Sequence, residues 1–200
     1  MRKAGILLAT KGLGSAIKEA NSGTPYFKLK DGEQATIRFL SSPDEFIGIR
    51  QHTIEKSGGK FETTWCSEQP DCPVCLAGNR ASYRVIGTIV ERGAKQGEKD
   101  TVKVFNMSKK TANAVALLIE EYNNINDRDF KVKVTGTKSE TTYHFFPKDK
   151  SEDKTEYENV PDLDTYCEVN LDKLRVLGAM LGGGDVEEAP KKDKDSDYPF

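Results

Sequence analysis

The chain has 200 residues, 36% of them apolar and 31% charged, with a mean hydropathy of -0.63. That is room for one main core, and no apolar run approaches membrane-spanning length, which excludes a chain built on transmembrane helices. The net charge of -2 hides an asymmetry: residues 1–148 carry +6 and residues 149–200 carry -8, a basic body with an acidic tail of the kind that often marks nucleic-acid proteins.

Residues 1–23 read as a flexible basic arm, because Gly5, Gly12 and Gly14 interrupt the weak helical period of Ile6, Leu7, Ala16 and Ile17. Residues 24–148 read as the core. Tyr26–Lys30 is strand-like and leads into the turn signal Asp31-Gly32-Glu33. Alternation then predicts strands over 35–40, 46–54, 82–90 and 101–107, with polar breaks between them. The period changes after Ser108, a candidate N-cap for a helix over about 109–122 with Ala112, Val115, Leu118, Ile119 and Tyr122 on one stripe. Residues 130–135 and 142–146 close the series as strands. Strands, one helix and closing strands predict a mostly β fold, an OB-type five-stranded barrel with a metal-binding insertion at 52–80 and one helix between strands. Residues 149–181 read as an acidic extension with a short helix marked by Leu171, Leu174, Leu177 and Leu181, and residues 182–200 as a disordered acidic tail.

The chemistry-bearing stretch runs from His52 through Cys66 to Cys72-Pro73-Val74-Cys75. Three thiols and an imidazole make a complete tetrahedral donor set for Zn2+, and two thiolates two residues apart can grip one ion from a single tight turn. Pro73 presets φ in that turn. A redox Cys-x-x-Cys pair would call for a thioredoxin-like βαβ setting, which the surrounding pattern lacks. A disulfide framework would call for a secretory leader, and Met1–Ala20 has no proper apolar h-region followed by a small-residue cleavage site. The expected compartment is therefore the cytoplasm, where thiols stay reduced. Cys167 remains an alternative to His52 as fourth ligand.

With the aliphatic residues of each strand placed inward, Arg38, Arg50, Arg84, Lys103, Lys131 and Lys133 fall on the other face together with Phe105. Cations that follow phosphates, interleaved with rings that stack on bases, are what a single-strand groove requires. Phe61, Trp65 and Tyr83 are further candidate rings; for any one of them core packing is the competing role.

From about Tyr26 to Pro147 the chain resembles the zinc-containing single-stranded-DNA-binding proteins of tailed phages, the group that includes the T-even helix-destabilising protein. The likeness rests on Lys30-Asp31-Gly32-Glu33 through Ile37-Arg38-Phe39-Leu40, on His52 and the three cysteines, and on the strand–helix–strand from Val102 to Val134. It implies an OB-type barrel with a zinc subdomain, a basic cleft for the strand, and a His-Cys-Cys-Cys ligand order matching His52, Cys66, Cys72 and Cys75. The gap from Cys66 to Cys72 is short for that pattern, and the N-terminal arm does not read as the T-even cooperativity segment.

The C-terminus, with Asp195, Asp197, Tyr198, Pro199 and Phe200, looks like the acidic tip of bacterial single-strand-binding proteins. A terminal Phe with its carboxylate suits a basic-rimmed apolar pocket on a partner. The chain has only two histidines, His52 and His144, and no phosphate-cradling loop or nucleophile elbow, so no enzyme is expected. The combined expectation is a sequence-nonspecific single-stranded-DNA-binding protein of replication, recombination or repair. Its zinc would be structural, its tail would recruit replication or recombination proteins, self-association on DNA is open, and no membrane is involved. The competing expectation is a zinc-containing protein–protein adaptor of a replication or transcription complex.

Overall fold

The computed structural model describes residues 26–94, 97–137, 140–151 and 155–182. The expected N-terminal arm and the tail residues Asp195, Asp197, Tyr198, Pro199 and Phe200 lie outside these. The strands are β1 (Gln34–Phe39), β2 (Ile47–Lys56), β3 (Lys60–Trp65), β4 (Ser82–Glu91), β5 (Thr101–Ser108), β6 (Arg128–Thr135) and β7 (Thr142–Lys150). The helices are α1 (Pro73–Leu76), α2 (Lys109–Tyr122), α3 (Leu163–Tyr166) and α4 (Leu171–Met180).

The strands form one seven-stranded antiparallel sheet in the order β3-β2-β4-β1-β6-β7, with β5 on β4. The fold is mostly β, as expected, but the closed five-stranded barrel is corrected to an open sheet that leaves β3 and β7 as end strands. The added strand is β3, a hairpin partner of β2 inside the metal-binding excursion. Its short Lys60–Trp65 sequence owes its strand conformation to pairing with β2. The Tyr26–Lys30 strand shrinks to one bridge, Tyr26 with Val104.

Two compact units divide the chain. The first holds the described residues up to Ile47 together with Val85–Tyr166. Its core is aromatic: Phe39, Phe105 and Phe130 are fully buried among Ile37, Ile89 and Val132, with ring centroids 5.6 Å apart for the Phe39–Phe130 pair. Helix α2 closes this core through Ala112, Val115, Leu118 and Ile119. Ser108 caps it by accepting from the Thr111 N–H at 3.3 Å, which satisfies a donor the helix cannot satisfy itself. Asn123, at φ +59°, ends it with its N–H on the Ile119 carbonyl.

The second unit holds Gly48–Arg84 and the described residues from Cys167 onward. Its core is small: Ile54, Cys66, Cys72, Val74, Leu174 and Leu177. Of residues 149–166, those described belong with the first unit, and helix α4 belongs with the metal-binding excursion. Among the described residues no helix is long and apolar enough to cross a membrane.

Candidate metal centre and nucleic-acid interface

The hairpin β2–β3 and the turn of α1 bring four donors together. His52 stands opposite Thr64 in the hairpin, and the Cys66 N–H closes the ladder on the Arg50 carbonyl at 2.8 Å. Cys72 precedes α1 and Cys75 lies within it. The donor atoms all lie within 4.8 Å of one another. Cys66 Sγ is 3.7 Å from Cys72 Sγ and 3.6 Å from Cys75 Sγ, and His52 Nε2 is 3.5 Å from Cys72 Sγ and 3.6 Å from Cys75 Sγ. A tetrahedron with metal–sulfur bonds of about 2.3 Å has edges of about 3.8 Å, so this spacing fits one ion. Cys167 is not part of the cluster.

Burial and neighbours treat the thiols differently. Burial pushes the Cys66 thiol up. Cys75 is pushed up to about 12, by burial and then by the adjacent Cys66 and Cys72. Burial also opposes ionisation of Cys72, but the Cys75 N–H, His52 and Ser67 outweigh it and bring that thiol down to about 6. Ligation takes the thiolate form, so a metal bound here must displace the thiol protons.

One supporting residue went unnoticed in the sequence. Asn79 Oδ1 lies 3.0 Å from His52 Nδ1, and Asn79 Nδ2 donates to the Thr53 carbonyl at 3.1 Å. The amide is thus oriented to accept from Nδ1–H, which leaves the Nε2 lone pair facing the thiols. The Glu68 N–H also points to Cys66 Sγ at 3.3 Å. A lone Asn after Gly78 reads in sequence as turn punctuation, so nothing marked it.

Beside the cluster, within the second unit, an open groove of about 450 Å³ is lined by Arg50, Arg80, Glu68, Gln69, Asn79 and the exposed Cys75. Both arginines are exposed. Tyr83, 49% exposed, lies across Gly48: a Cβ there would stand 2.1 Å from the Tyr83 hydroxyl. Strand alternation puts Gly48, Arg50 and His52 on one face of β2, so Tyr83 borders the same side. Phe61 is exposed and Trp65 half-buried. Their partners across the hairpin are Glu55 and Gln51, on the face of β2 opposite His52. These two rings therefore do not line the metal side.

The expected basic face needs revision at four residues. Phe105 is in the aromatic core, 1% exposed, and cannot stack on a base. Strand β5 is covered on both faces, with Val104 as fully buried as Phe105 and Met107, and it is Phe105 and Met107 that join the aromatic core. Lys103 shares that inward parity and reaches Glu91 as an ion pair at the rim. Arg38 is 4% exposed, with Nε 2.7 Å from Asp129 Oδ1. The same carboxylate receives Arg92, whose Nη1 is 2.7 Å from Asp100. Arg84 is half-buried, with its Nε shielded from solvent.

Lys131 and Lys133 are exposed on β6, and the register shows what accompanies them. Lys131 pairs with Thr36 on β1 and Phe146 on β7, and Lys133 with Gln34 and His144. Directly opposed residues share a face. Lys148 reaches over to Thr36 Oγ1 at 3.4 Å. The result is an exposed face in the first unit with a ring, Phe146, 52% exposed, beside three lysines, and no carboxylate in those register positions. Among the described residues Lys131 and Lys133 have no ion-pair partner. Phe146 and Lys148 were not among the sequence candidates, because 142–146 alternates apolar and polar so weakly that its outward side could not be chosen. No family model, curated protein or solved structure matches this chain, so the donor cluster and the basic ring-bearing face are what its function is to be argued from.

Proposed function

We propose that this chain binds single-stranded DNA without regard to sequence, and that its four-donor cluster holds a structural Zn2+. The observation that carries the DNA reading is the exposed Phe146 ring, flanked by Lys131, Lys133 and Lys148 with no acid in register. A large apolar ring left in water beside cations suits a base stacking on the ring while the ammonium groups follow its phosphates. The groove lined by Arg50 and Arg80 adds two exposed cations, and Tyr83 packs over Gly48 on the same face of β2 as Arg50. Three thiols and one imidazole suit zinc, and four protein donors leave no open position for an activated water, which supports a structural metal and a non-enzymatic role. On this reading the first unit, although its sheet is open, takes the place of the DNA-binding core of the phage family that the sequence resembles, and the second that of its zinc insertion. Roles in replication, recombination or repair, and partner recruitment through Asp195–Phe200, belong to the same proposal.

The adaptor reading keeps one supporting observation. A groove of about 580 Å³ in the first unit is lined by Leu40, Ile47 and Val160 together with the acids Asp44, Glu45 and Asp162, which suits a basic apolar peptide better than DNA.

Titration of labelled oligo-dT, read by anisotropy, separates the two. The binder gives saturable binding whose log affinity falls against log salt by about 0.7 per phosphate neutralised. Phe146→Ala is expected to weaken it by about 1–3 kcal/mol, the usual worth of one stacked base. Absence of binding in dilute buffer by metal-loaded protein would overturn the DNA reading and leave the adaptor.

A further inference from the structure

Helix α4 is ten residues long, too short to persist in water without tertiary support. What supports it is the metal-binding turn. Its buried residues are Leu174, Leu177 and Gly178, and the first two share a core with Cys66, Cys72, Val74 and Ile54. Two of those six core residues are thiol donors of the cluster.

The contact at Gly178 is closer still. A Cβ there would stand 2.7 Å from the Pro73 Cβ and 2.9 Å from its carbonyl carbon. Glycine in a helix interior costs about 1 kcal/mol relative to alanine. Here it lets the helix backbone rest on Pro73, the residue between Cys72 and Val74. A second hold lies on β3: Lys173 Nζ donates to the Thr63 carbonyl at 2.9 Å and lies 3.1 Å from Glu62. Strand β3 ends the sheet, so the lysine occupies a carbonyl of its open edge.

Apart from the donors, the turn under the helix is held by Asn79, bound to Thr53 and His52, and by Val74 in the small core that α4 itself completes. The backbone hydrogen bonds from Cys72 to Asn79 are local, running among residues 69–79. Removing an ion that ties His52 and Cys66 to Cys72 and Cys75 would free that turn, and with it the surface on which α4 lies.

We propose that metal binding at His52, Cys66, Cys72 and Cys75 is what docks helix α4, making the ion a lock on the C-terminal segment and on the cover of β3's edge. Residues 183–200, rich in acids, come shortly after this helix in the sequence. A partner that reads the tail would then meet it on a fixed base in the metal-loaded protein and on a released one in the metal-free protein. The inference rests on the cluster binding a metal, but not on DNA binding.

Coupling of this kind is reciprocal, so it is tested from both ends on the full chain. Metal content is measured first, and hydrogen exchange is then followed before and after chelation. Exchange in Leu171–Met180 is expected to speed up by about tenfold or more on metal removal, while Arg128–Lys150 stays unchanged as the internal reference. From the other end, Gly178→Ala raises intrinsic helix propensity, yet is expected to speed metal transfer to a competing chelator by about tenfold, because the added methyl meets Pro73. Leu177→Ala, which adds no bulk, is expected to act in the same direction. Stoichiometric metal with unchanged α4 exchange, or α4 variants that hold metal as tightly as the parent, would overturn the lock and leave the metal centre standing. Loss of protection throughout β6 and β7 together with α4 would also overturn it. Protein without stoichiometric metal would overturn both.

Discussion

The first unit closes on large apolar side chains: three fully buried phenylalanines with isoleucines and valines around them, and a capped fourteen-residue helix laid over the top. The second has six core residues, two of them thiol donors. Burying a Phe or Ile is worth about 1.5–3 kcal/mol each, so the first core is sufficient in itself. The second core is of the size at which small modules recruit a metal. On the proposed reading one chain stabilises a sheet by area in one place and by ligation in another, and the two should respond to different perturbations.

The largest separation is expected from Cys66→Ser. Structural zinc contributes about 10–16 kcal/mol in small metal-dependent modules. Loss of a donor should therefore abolish hydrogen-exchange protection over Gly48–Arg84 while Val85–Tyr166 keeps its own. Equal protection of both units in this variant would mean that ligation does not hold the second. The converse is Phe130→Ala, expected to cost about 3–5 kcal/mol because the cavity opens between Phe39 and Val132. It should lower the thermal midpoint of the first unit and leave metal stoichiometry at its parent value. Asn79→Ala is the finest cut. It removes no donor and little area, and is expected to weaken metal affinity by about 10–100-fold with the aromatic core unaffected, read by chelator competition. Affinity equal to the parent would show that the Thr53–Asn79–His52 chain does not orient the imidazole.

Much of this was legible in the linear chain, for identifiable reasons. Helix α2 was bounded at both ends because Ser108 caps it and Asn123 stops it, two local chemistries that need no tertiary information. The four donors were visible because ligand chemistry restricts residue type so tightly. Strand β3 was not, since Lys60–Trp65 owes its conformation to pairing with β2. Nor was the inward turn of Phe105. Strand β5 offers Val102 and Val104 on one side and Phe105 and Met107 on the other, and alternation alone does not rank two apolar faces. Arg38 illustrates a different failure: its parity was read correctly, outward from the aromatic core. Its charge is nonetheless consumed by Asp129, a residue ninety-one positions away.

What the residues by themselves determined was local: periods of two and of about 3.6, a capped helix, and a set of donor residues of the types that hold a metal. What only the tertiary structure decided was which cations are left over. Lys131 and Lys133 stay in water beside Phe146 because β7 presents no carboxylate opposite them, while Arg38 and Lys103 meet Asp129 and Glu91. The reason is physical: ion pairing and burial depend on distances of a few ångströms between residues far apart in the chain, and those distances exist only once the sheet has formed.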